Sequence, residues 1–529
     1  MSAAVYMVQR DFAVGDLAGN RRKLLDAAVR AQQCGAAVLL SPELSLTGYC
    51  PEDMLYNPAF MDDVAREWQT LIAEAPPNLA ILAGLPWRDS DNGQVHNAAA
   101  LIRNGRLEAV HKKHNLPNYS VFDERRYFCG SDEPPLFFAA EGHRYAVQIC
   151  EDIWPEPQTW AAAIRQRADT ALVLNASPFH LGKQEARQQT ARRFAATSGA
   201  TLHYCNCIGG QDELIFDGAS FVINAAGDVL TQFPAMREHE GMDGDYPYPS
   251  DDEALYEALL LGIRDYAAKT GFGGVVLGLS GGVDSALVAV AAADALGGKN
   301  VLTVMMPSPH TSPASLTDAA AIARNIGSEW LEISIKPLMQ AMDTALSPHL
   351  RPRQNDTTRE NIQARLRGQL LMALSNNRNL LLLATGNKSE MACGYATLYG
   401  DMCGGFAPLK DLSKTRVWQL AKWRNRRNVV VPWRVITRPP SAELRDEQTD
   451  QDTLPPYEQI DAAIAAHLEE RRPHTEVAQQ WGDDFAAQFF ALLEKSEYKR
   501  RQSAPGPKLT SRAFGRDWRM PIANRYRHV

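Results

Sequence analysis

The residues Ser280-Gly281-Gly282-Val283-Asp284-Ser285 carry the plainest chemistry in this chain. They follow the apolar run Val275-Val276-Leu277-Gly278-Leu279 and precede Ala286–Ala293, which reads as a helix. A Gly- and hydroxyl-rich loop therefore joins a buried strand to a helix N-terminus. Free backbone N–H groups and the helix dipole favour an anion there. Two adjacent glycines allow close approach to phosphate. The loop is not a Walker A sequence, because GxxxxGK[ST] is absent. A second group in the first half, Glu43, Lys113 and Cys150, has the residue types for amide cleavage by a thiolate. A free cysteine titrates near about 8.5, so an adjacent ammonium is needed to favour the thiolate. A carboxylate can take the thiol proton and return it to departing ammonia. Taken singly, a strand cysteine, a surface lysine and a capping glutamate would account for the same three types.

These residues need elements to hold them. In the first half Leu17–Cys34 reads as a helix, and Ala36–Leu40, Tyr145–Cys150 and Ala171–Asn175 as strands. Ser220–Asn224 and Asp228–Thr231 flank Ala225-Ala226-Gly227, a hairpin signal. A stretch rich in Asp, Gly, Pro and Tyr, from Met236 to Asp252, reads as a linker or exposed crossover. The expected division is residues 1–240, a linker over 241–252, and 253–529. The second half opens with a helix, Glu253 to Lys269. Strands follow at Gly274–Leu279, Val301–Met306, Leu331–Ile335 and Leu380–Ala384, with helices between them. That alternation predicts an α/β fold with a doubly wound parallel sheet.

At 529 residues the chain holds more than one domain. Hydrophobic content of 45%, charged content of 22% and a net charge of −7 are those of a soluble globular protein and argue against a nucleic-acid binder. No apolar run is long enough to span a bilayer and no signal pattern is present, so a cytoplasmic setting and no membrane partner are expected. The eight scattered cysteines fit a reduced compartment rather than a disulfide framework. From Lys495 to Arg527 there are ten Lys or Arg against Glu497 and Asp517. A phosphate-rich small molecule, an acidic neighbouring subunit, nucleic acid or solvent could each answer that tail.

The Ser280–Ser285 loop resembles the signature of the ATP pyrophosphatases, which release pyrophosphate from ATP while adenylating a substrate. The resemblance implies that Ser280 and Ser285 bond phosphate and that Asp284 helps to hold magnesium. The words around Glu43, Lys113 and Cys150 resemble the nitrilase superfamily, whose Glu-Lys-Cys order they share, and imply its α-β-β-α sandwich. The run Leu116–Phe128 is similar to the glutaminase branch of that superfamily. By that likeness Tyr119, Ser177 and Lys183 would hold glutamine; an amine such as Lys183 also suits a carboxylate on physical grounds. Glu124 is read as a second carboxylate, structural or catalytic.

Together the halves resemble the glutamine-hydrolysing NAD(+) synthetase family over nearly the whole chain. The words that carry this are Glu360–Gly368, Ala384–Glu390, Gly394–Asp401, Pro440–Leu444 and Pro505–Thr510. The resemblance implies that ammonia from glutamine amidates deamido-NAD through an adenylate, with ATP and magnesium. Gly278, Leu279, Ser280, Gly281, Gly282, Val283, Asp284, Ser285, Thr385 and Lys414 would then contact ATP. Asn361, Glu390 and Lys508 would contact deamido-NAD, and Asp284 and Glu390 would share magnesium. Arg365 and Arg367 also fit a solvated helix face. A homo-oligomer and a protected route for ammonia are implied as well.

Two stretches depart from the family's pattern. Pro309-His310-Thr311-Ser312 stands where an aromatic-hydroxyl stretch is expected, and Asp11 stands where asparagine is expected. Three rival readings make different demands. An amidotransferase with another acceptor keeps the ATP chemistry. An amidase with a nucleotide-sensing second half releases no pyrophosphate. An RNA-modifying enzyme binds RNA in a salt-sensitive way.

Overall fold

The computed structural model describes residues 4–156, 159–352, 356–441, 443–445 and 448–518. Ala442 of the Pro440–Leu444 word, and Arg519, Arg525 and Arg527 of the basic tail, lie outside the described residues. The chain divides into two compact units, between Ser250 and Asp251.

The first unit contains β1 (Val5–Gln9), α1 (Leu17–Gln33), β2 (Val38–Leu40), α2 (Pro58–Glu74), β3 (Ala80–Arg88), β4 (Val95–Arg103), β5 (Arg106–Lys112), β6 (Phe137–Ala140) and β7 (His143–Ile149). It continues with α3 (Ala161–Arg167), β8 (Thr170–Asn175), α4 (Lys183–Ser198), β9 (Thr201–Asn206), β10 (Ile208–Gln211), β11 (Leu214–Asp217), β12 (Phe221–Ile223), β13 (Val229–Gln232) and β14 (His239–Gly241). Two six-stranded sheets form, in the orders β14-β1-β2-β3-β4-β5 and β13-β12-β9-β8-β7-β6. Alternation along each strand decides the layers. In the first sheet Val5, Met7, Val38 and Leu40 pack with Val147, Ile149, Leu172 and Leu174 of the second, so the faces of the two sheets share one core. The intervening Tyr6, Val8 and Leu39 pack instead with Leu24 and Ala28 of α1 and Trp68 of α2. The outer face of the second sheet, with Ala171, Val173 and Leu202, takes Ile164 of α3 and Phe194 of α4. This is the expected α-β-β-α sandwich, and each fully buried Val, Leu or Ile contributes about 1.5–3 kcal/mol.

Element boundaries differ from the sequence reading where the signals were short. The strand expected over Ala36–Leu40 is confined to Val38–Leu40. The expected hairpin is β12–β13, and its turn is fixed by Asn224 Oδ1, which accepts from Ala226 N at 3.0 Å and Asp228 N at 2.9 Å. The stretch expected to be a linker is partly built into structure. Gly241 pairs with Met7, Asp245 bridges to Gln232, the Tyr248 hydroxyl donates to Asp217 Oδ2 at 3.0 Å, and Asp251 and Asp252 already belong to a helix.

The second unit contains α5 (Asp251–Lys269), β15 (Val275–Gly278), α6 (Val283–Leu296), β16 (Val301–Met305), α7 (Pro313–Ile326), β17 (Glu329–Glu332), α8 (Lys336–Leu346), α9 (Thr358–Arg378) and β18 (Leu381–Leu382). After it come α10 (Lys388–Cys393), α11 (Lys414–Asn425), α12 (Trp433–Thr437), α13 (Tyr457–Ile464), α14 (His474–Trp481), α15 (Asp483–Lys495) and α16 (Glu497–Arg500). The sheet order is β17-β16-β15-β18, with every pairing parallel. Val276, Leu302 and Val304 face Leu371 of α9 on one side. From Ser285 to Ala292 every residue of α6 is buried, as a helix that is apolar all round requires. The strand expected at Leu331–Ile335 forms two residues earlier, at Glu329–Glu332, where it pairs with Leu302–Met305. The one expected at Leu380–Ala384 is reduced to Leu381–Leu382, with Leu383 bridging to Phe406. A second apolar cluster, around Ile460, Phe489 and Leu493, organises the C-terminal helices.

Candidate active sites in the two units

Three chain segments deliver the charged groups of the first site. Glu43 follows β2, Lys113 follows β5, and Cys150 follows β7. Burial is almost complete: Glu43 is 2% exposed, Lys113 0% and Cys150 5%. The Lys113 ammonium lies 2.6 Å from Glu43 Oε1 and 2.9 Å from both oxygens of Glu124. Burial works against that ammonium, but the charges of Glu124 and Glu43 outweigh it and hold it well above the ordinary lysine value. Glu124, between a structural and a catalytic reading in the sequence, is therefore the second counter-ion of Lys113. Burial pushes it up to about 7, against the pull of Lys113.

The carboxylate of Glu43 is held in place on both oxygens. Asn97 Nδ2 donates to Oε1 at 2.7 Å, and Ala176 N donates to Oε2 at 2.9 Å. Tyr49 donates its hydroxyl to Glu124 Oε1 at 3.0 Å. Cys150 opens a short 3-10 turn in the left-handed region, with φ of 44°. Burial, then Glu43, push its thiol well up, and Lys113 opposes them. The resting thiol is protonated, and the carboxylate of Glu43, whose charge is felt at the thiol, is able to take the proton. Lys113 is on hand for the thiolate and for a developing oxyanion.

A cleft of about 660 Å³ is lined by Tyr119, Arg125, Phe128 and Glu151, the last being the neighbour of Cys150. Tyr119 is half exposed and donates to both oxygens of Glu151 at 3.0 Å. Lys183 Nζ sits 4.2 Å from the centre of the Trp154 ring. Burial, then the nearby Arg187, lower its amine to about 8. Ser177 is fixed by Arg187, whose Nε reaches Ser177 Oγ at 3.0 Å and whose Nη1 pairs with Asp217 at 2.7 Å. Arg187, Asn97 and Tyr49 had no signal in the sequence.

The second site lies at the C-terminal ends of β15 and β18, adjacent strands of the parallel sheet, where α/β folds bind ligands. Gly278 ends β15 and Leu279 leads into the loop. Ser280 Oγ and Ser285 Oγ are 3.0 Å apart, and Gly282 N donates to Ser280 Oγ at 3.2 Å. Gly281 has φ of +82°, and a Cβ there would lie 2.5 Å from the Ser315 carbonyl oxygen. Val283 opens α6, with Asp284 in its first turn.

Thr385 follows β18, and Asn387 caps α10, accepting from Glu390 N at 3.0 Å. Its Nδ2 donates to Asp284 Oδ1 at 2.8 Å, joining the two strand-to-helix turns. Lys414 Nζ reaches Asp284 Oδ2 at 2.5 Å and Glu390 Oε1 at 3.4 Å. Burial opposes the Lys414 charge, but Asp284 and Glu390 outweigh it; burial raises Glu390 to about 8. Two carboxylates converging on one ammonium have the donor set and the charge for a cation, and oxygen donors suit magnesium. Asn387 was missed, although Asn387-x-x-Glu390 is a readable capping box.

The other expected contact residues have partners of their own in the structure. Lys414 pairs with the two carboxylates. Lys508 is buried and held by Asp517 and by Ser511 O. Asn361 Oδ1 accepts from the Thr397 hydroxyl at 2.8 Å. Arg367 is not on a solvated face: its Nε donates to Met306 O at 3.2 Å, and burial lowers it to about 10. Arg365 stays exposed, with its Nε 3.2 Å from Leu398 O. The described part of the basic tail is largely bonded internally. Lys499 donates to Gly394 O and Ala396 O at 2.7 Å, and Arg500 is buried against Glu497. Within the departing Pro309–Ser312 stretch, Ser312 caps α7 and donates to Glu443 at 3.0 Å. All eight cysteines are free thiols. Among the described residues no helix is long and apolar enough to cross a membrane.

Comparison with known proteins agrees with this division. The carbon-nitrogen hydrolase family matches residues 3–239, and the NAD synthase family matches residues 255–503. The glutamine-dependent NAD(+) synthetase of Xanthomonas campestris pv. campestris is 43% identical over 99% of this chain and 97% of its own. That of Synechocystis sp. is 40% identical over 99% of both chains. The structure of the glutamine-dependent NAD+ synthetase from Acinetobacter baumannii in complex with adenosine diphosphate superposes with a TM-score of 0.78 at 39% identity, covering 98% of each chain. The enzyme from Cytophaga hutchinsonii, at 21% identity and a TM-score of 0.83 over 98% of this chain and 97% of its own, shares the fold. A nitrilase-like unit followed by a parallel-sheet NAD synthase unit, matched end to end at this identity, shows that the chain belongs to the glutamine-dependent NAD(+) synthetase family of carbon-nitrogen ligases.

Proposed function

We propose that this enzyme converts deamido-NAD to NAD with ATP, taking the nitrogen from glutamine and releasing glutamate, AMP and pyrophosphate. The observation that carries the reading is the buried Glu43–Lys113–Glu124 cluster beside the Cys150 thiol, in a chain that also holds the Ser280–Ser285 loop.

In the first unit Cys150 Sγ attacks the side-chain amide carbon of glutamine while Glu43 takes the thiol proton. Lys113, kept charged by Glu43 and Glu124, stabilises the oxyanion. Collapse of the tetrahedral species expels ammonia with the proton from Glu43, leaving a thioester. Water, activated by Glu43, releases glutamate and restores the thiol. Tyr119, Ser177 and Lys183 hold the substrate, with Lys183 facing its α-carboxylate.

In the second unit the nicotinate carboxylate of deamido-NAD attacks the α-phosphate of ATP, and pyrophosphate leaves. The N–H groups of the Ser280–Ser285 loop, the hydroxyls of Ser280 and Ser285, and Thr385 orient the phosphates. Asp284 and Glu390 would hold magnesium, which would supply positive charge at the phosphates. Lys414, released from those carboxylates, offers its ammonium to a phosphate. Asn361 and Glu390 contact the dinucleotide, as does Lys508 once parted from Asp517. Ammonia then displaces AMP from the acyl-adenylate. The family likeness extends the reading to a cytoplasmic homo-oligomer, whose mass sedimentation would give.

Cys150→Ala tests the division of labour. Glutamine-supported synthesis is expected to vanish while ammonium-supported synthesis persists; equal loss of both would refute the assignment.

A further inference from the structure

Asp152 lies two residues beyond Cys150, in the same 3-10 turn, and its side chain is completely buried. Its Oδ2 accepts from Ile149 N at 3.0 Å, the residue immediately before Cys150. Its Oδ1 accepts from His114 N at 3.0 Å and Asn115 N at 2.8 Å, the two residues immediately after Lys113. One carboxylate thus bonds the backbone on which the thiol is mounted and the backbone on which the ammonium is mounted.

Two imidazoles complete the surroundings. His111 Nε2 and His114 Nδ1 each lie 3.7 Å from Asp152 Oδ2, and neither nitrogen has a hydrogen-bond partner. His114 Nε2 lies 2.7 Å from Glu133 O, a carbonyl that can only accept, so Nε2 carries the proton. The three donor atoms lie within 4.8 Å of one another, close enough for a cation to be considered. The carboxylate's other commitments decide against that. Three of its roughly four lone-pair sites already hold backbone N–H groups. A cation there would compete with all three.

We infer that Asp152 is a positioning residue for glutamine hydrolysis: its carboxylate fixes the spacing of Cys150 and Lys113. The inference rests on the roles proposed above for those two residues. A carboxylate bonded to several N–H groups is stabilised as the anion. Burial works against the Asp152 anion, but His111, then His114 and the backbone N–H of Asn115, outweigh it and keep the carboxyl below the usual range. The staple therefore stays charged. It crosses between two segments that β5 and β7 would otherwise leave to separate sheets.

Asp152→Asn in the full chain is the test. An amide has the same shape, but its NH₂ would face an N–H where Asp152 has an acceptor, so at least one of the three bonds is lost. The expected result is a drop of about 10²-fold in kcat with glutamine, the scale set by ångström misplacement of reacting groups. The glutamine KM should change little, and ammonium-supported synthesis not at all. Alkylation of Cys150 by iodoacetamide should also move to higher pH, because a displaced Lys113 no longer opposes Glu43, Glu151 and Glu124 around the thiol. His111→Gln leaves all three backbone bonds in place and should lower kcat far less.

An unchanged kcat, or a lowered kcat with an unmoved alkylation profile, would overturn the inference. So would a loss in His111→Gln equal to that in Asp152→Asn, or one zinc per chain that survives chelation and disappears with Asp152→Asn. Cys150→Ala measured alongside separates the two claims. If that variant still used glutamine, the proposed function would fail, whatever Asp152→Asn did.

Discussion

Glu43 and Lys113 form a buried ion pair at 2.6 Å, and each has a further partner that fixes its role. Asn97 orients the carboxylate, and Glu124 supplies Lys113 with a second negative charge. Glu43 can therefore accept a proton without leaving Lys113 unpaired. Glu43→Gln removes the base but keeps the shape. Glutamine-supported synthesis should fall by about 10²–10⁴-fold, the usual worth of general-base catalysis. Ammonium-supported synthesis should be unaffected. Initial rates with the two nitrogen sources check this, and a fall of less than threefold with glutamine would remove Glu43 as the base.

Lys183 gives the glutamine site a pH dependence on the alkaline side. Its amine is lowered to about 8 by burial and by Arg187, so it loses its charge as pH rises through that value. A carboxylate partner is then lost. The kcat/KM for glutamine, which reports the free enzyme, should decline above about pH 8, while that for ammonium does not show the same break. Lys183→Met should raise the glutamine KM and abolish the break. A flat profile from pH 7 to 9.5 in the wild type would count against the contact.

Gly281→Ala should damage the second reaction alone. The position has φ of +82°, and a methyl group would meet the Ser315 carbonyl oxygen at 2.5 Å. Left-handed strain costs about 1–3 kcal/mol before that clash is counted. Synthesis should weaken with either nitrogen source, and the ATP KM should rise. Glutamine hydrolysis assayed separately should persist.

The Arg187–Asp217 pair is a stability prediction. Both side chains are 0% exposed and lie 2.7 Å apart. Arg187→Met strands the Asp217 carboxylate and should cost about 3–5 kcal/mol in the first unit. Denaturant unfolding followed by the near-ultraviolet signal would measure it. A loss under 1 kcal/mol would mean that Tyr248 alone suffices for Asp217.

Much of this was legible in the sequence, for physical reasons that can be named. The Ser280–Ser285 loop was readable because phosphate binding demands glycines, hydroxyls and a strand-to-helix turn in consecutive residues. Glu43, Lys113 and Cys150 were readable only through the words around them, since their meeting depends on three separate strand ends. The short strands Val38–Leu40 and Leu381–Leu382 were overestimated because apolar runs extend beyond the paired residues, before the first strand and on both sides of the second. The resting partners of Arg367 and Lys508 were not legible for another reason. A long cationic side chain does not show in sequence which group it will meet, and Met306 O and Asp517 claim these two through tertiary contacts. Asp152 has a local bond to Ile149 N, but nothing local announces its bonds to residues 37 and 38 positions away.

The most direct measurement is NAD formation from deamido-NAD, ATP and magnesium by the purified full-length protein, with glutamine or ammonium as nitrogen source and AMP quantified in parallel. The account predicts NAD from both sources, with one AMP released per NAD. Glutamine hydrolysis without NAD from either source would contradict it, leaving the first unit an amidase and the acceptor of the second a different molecule.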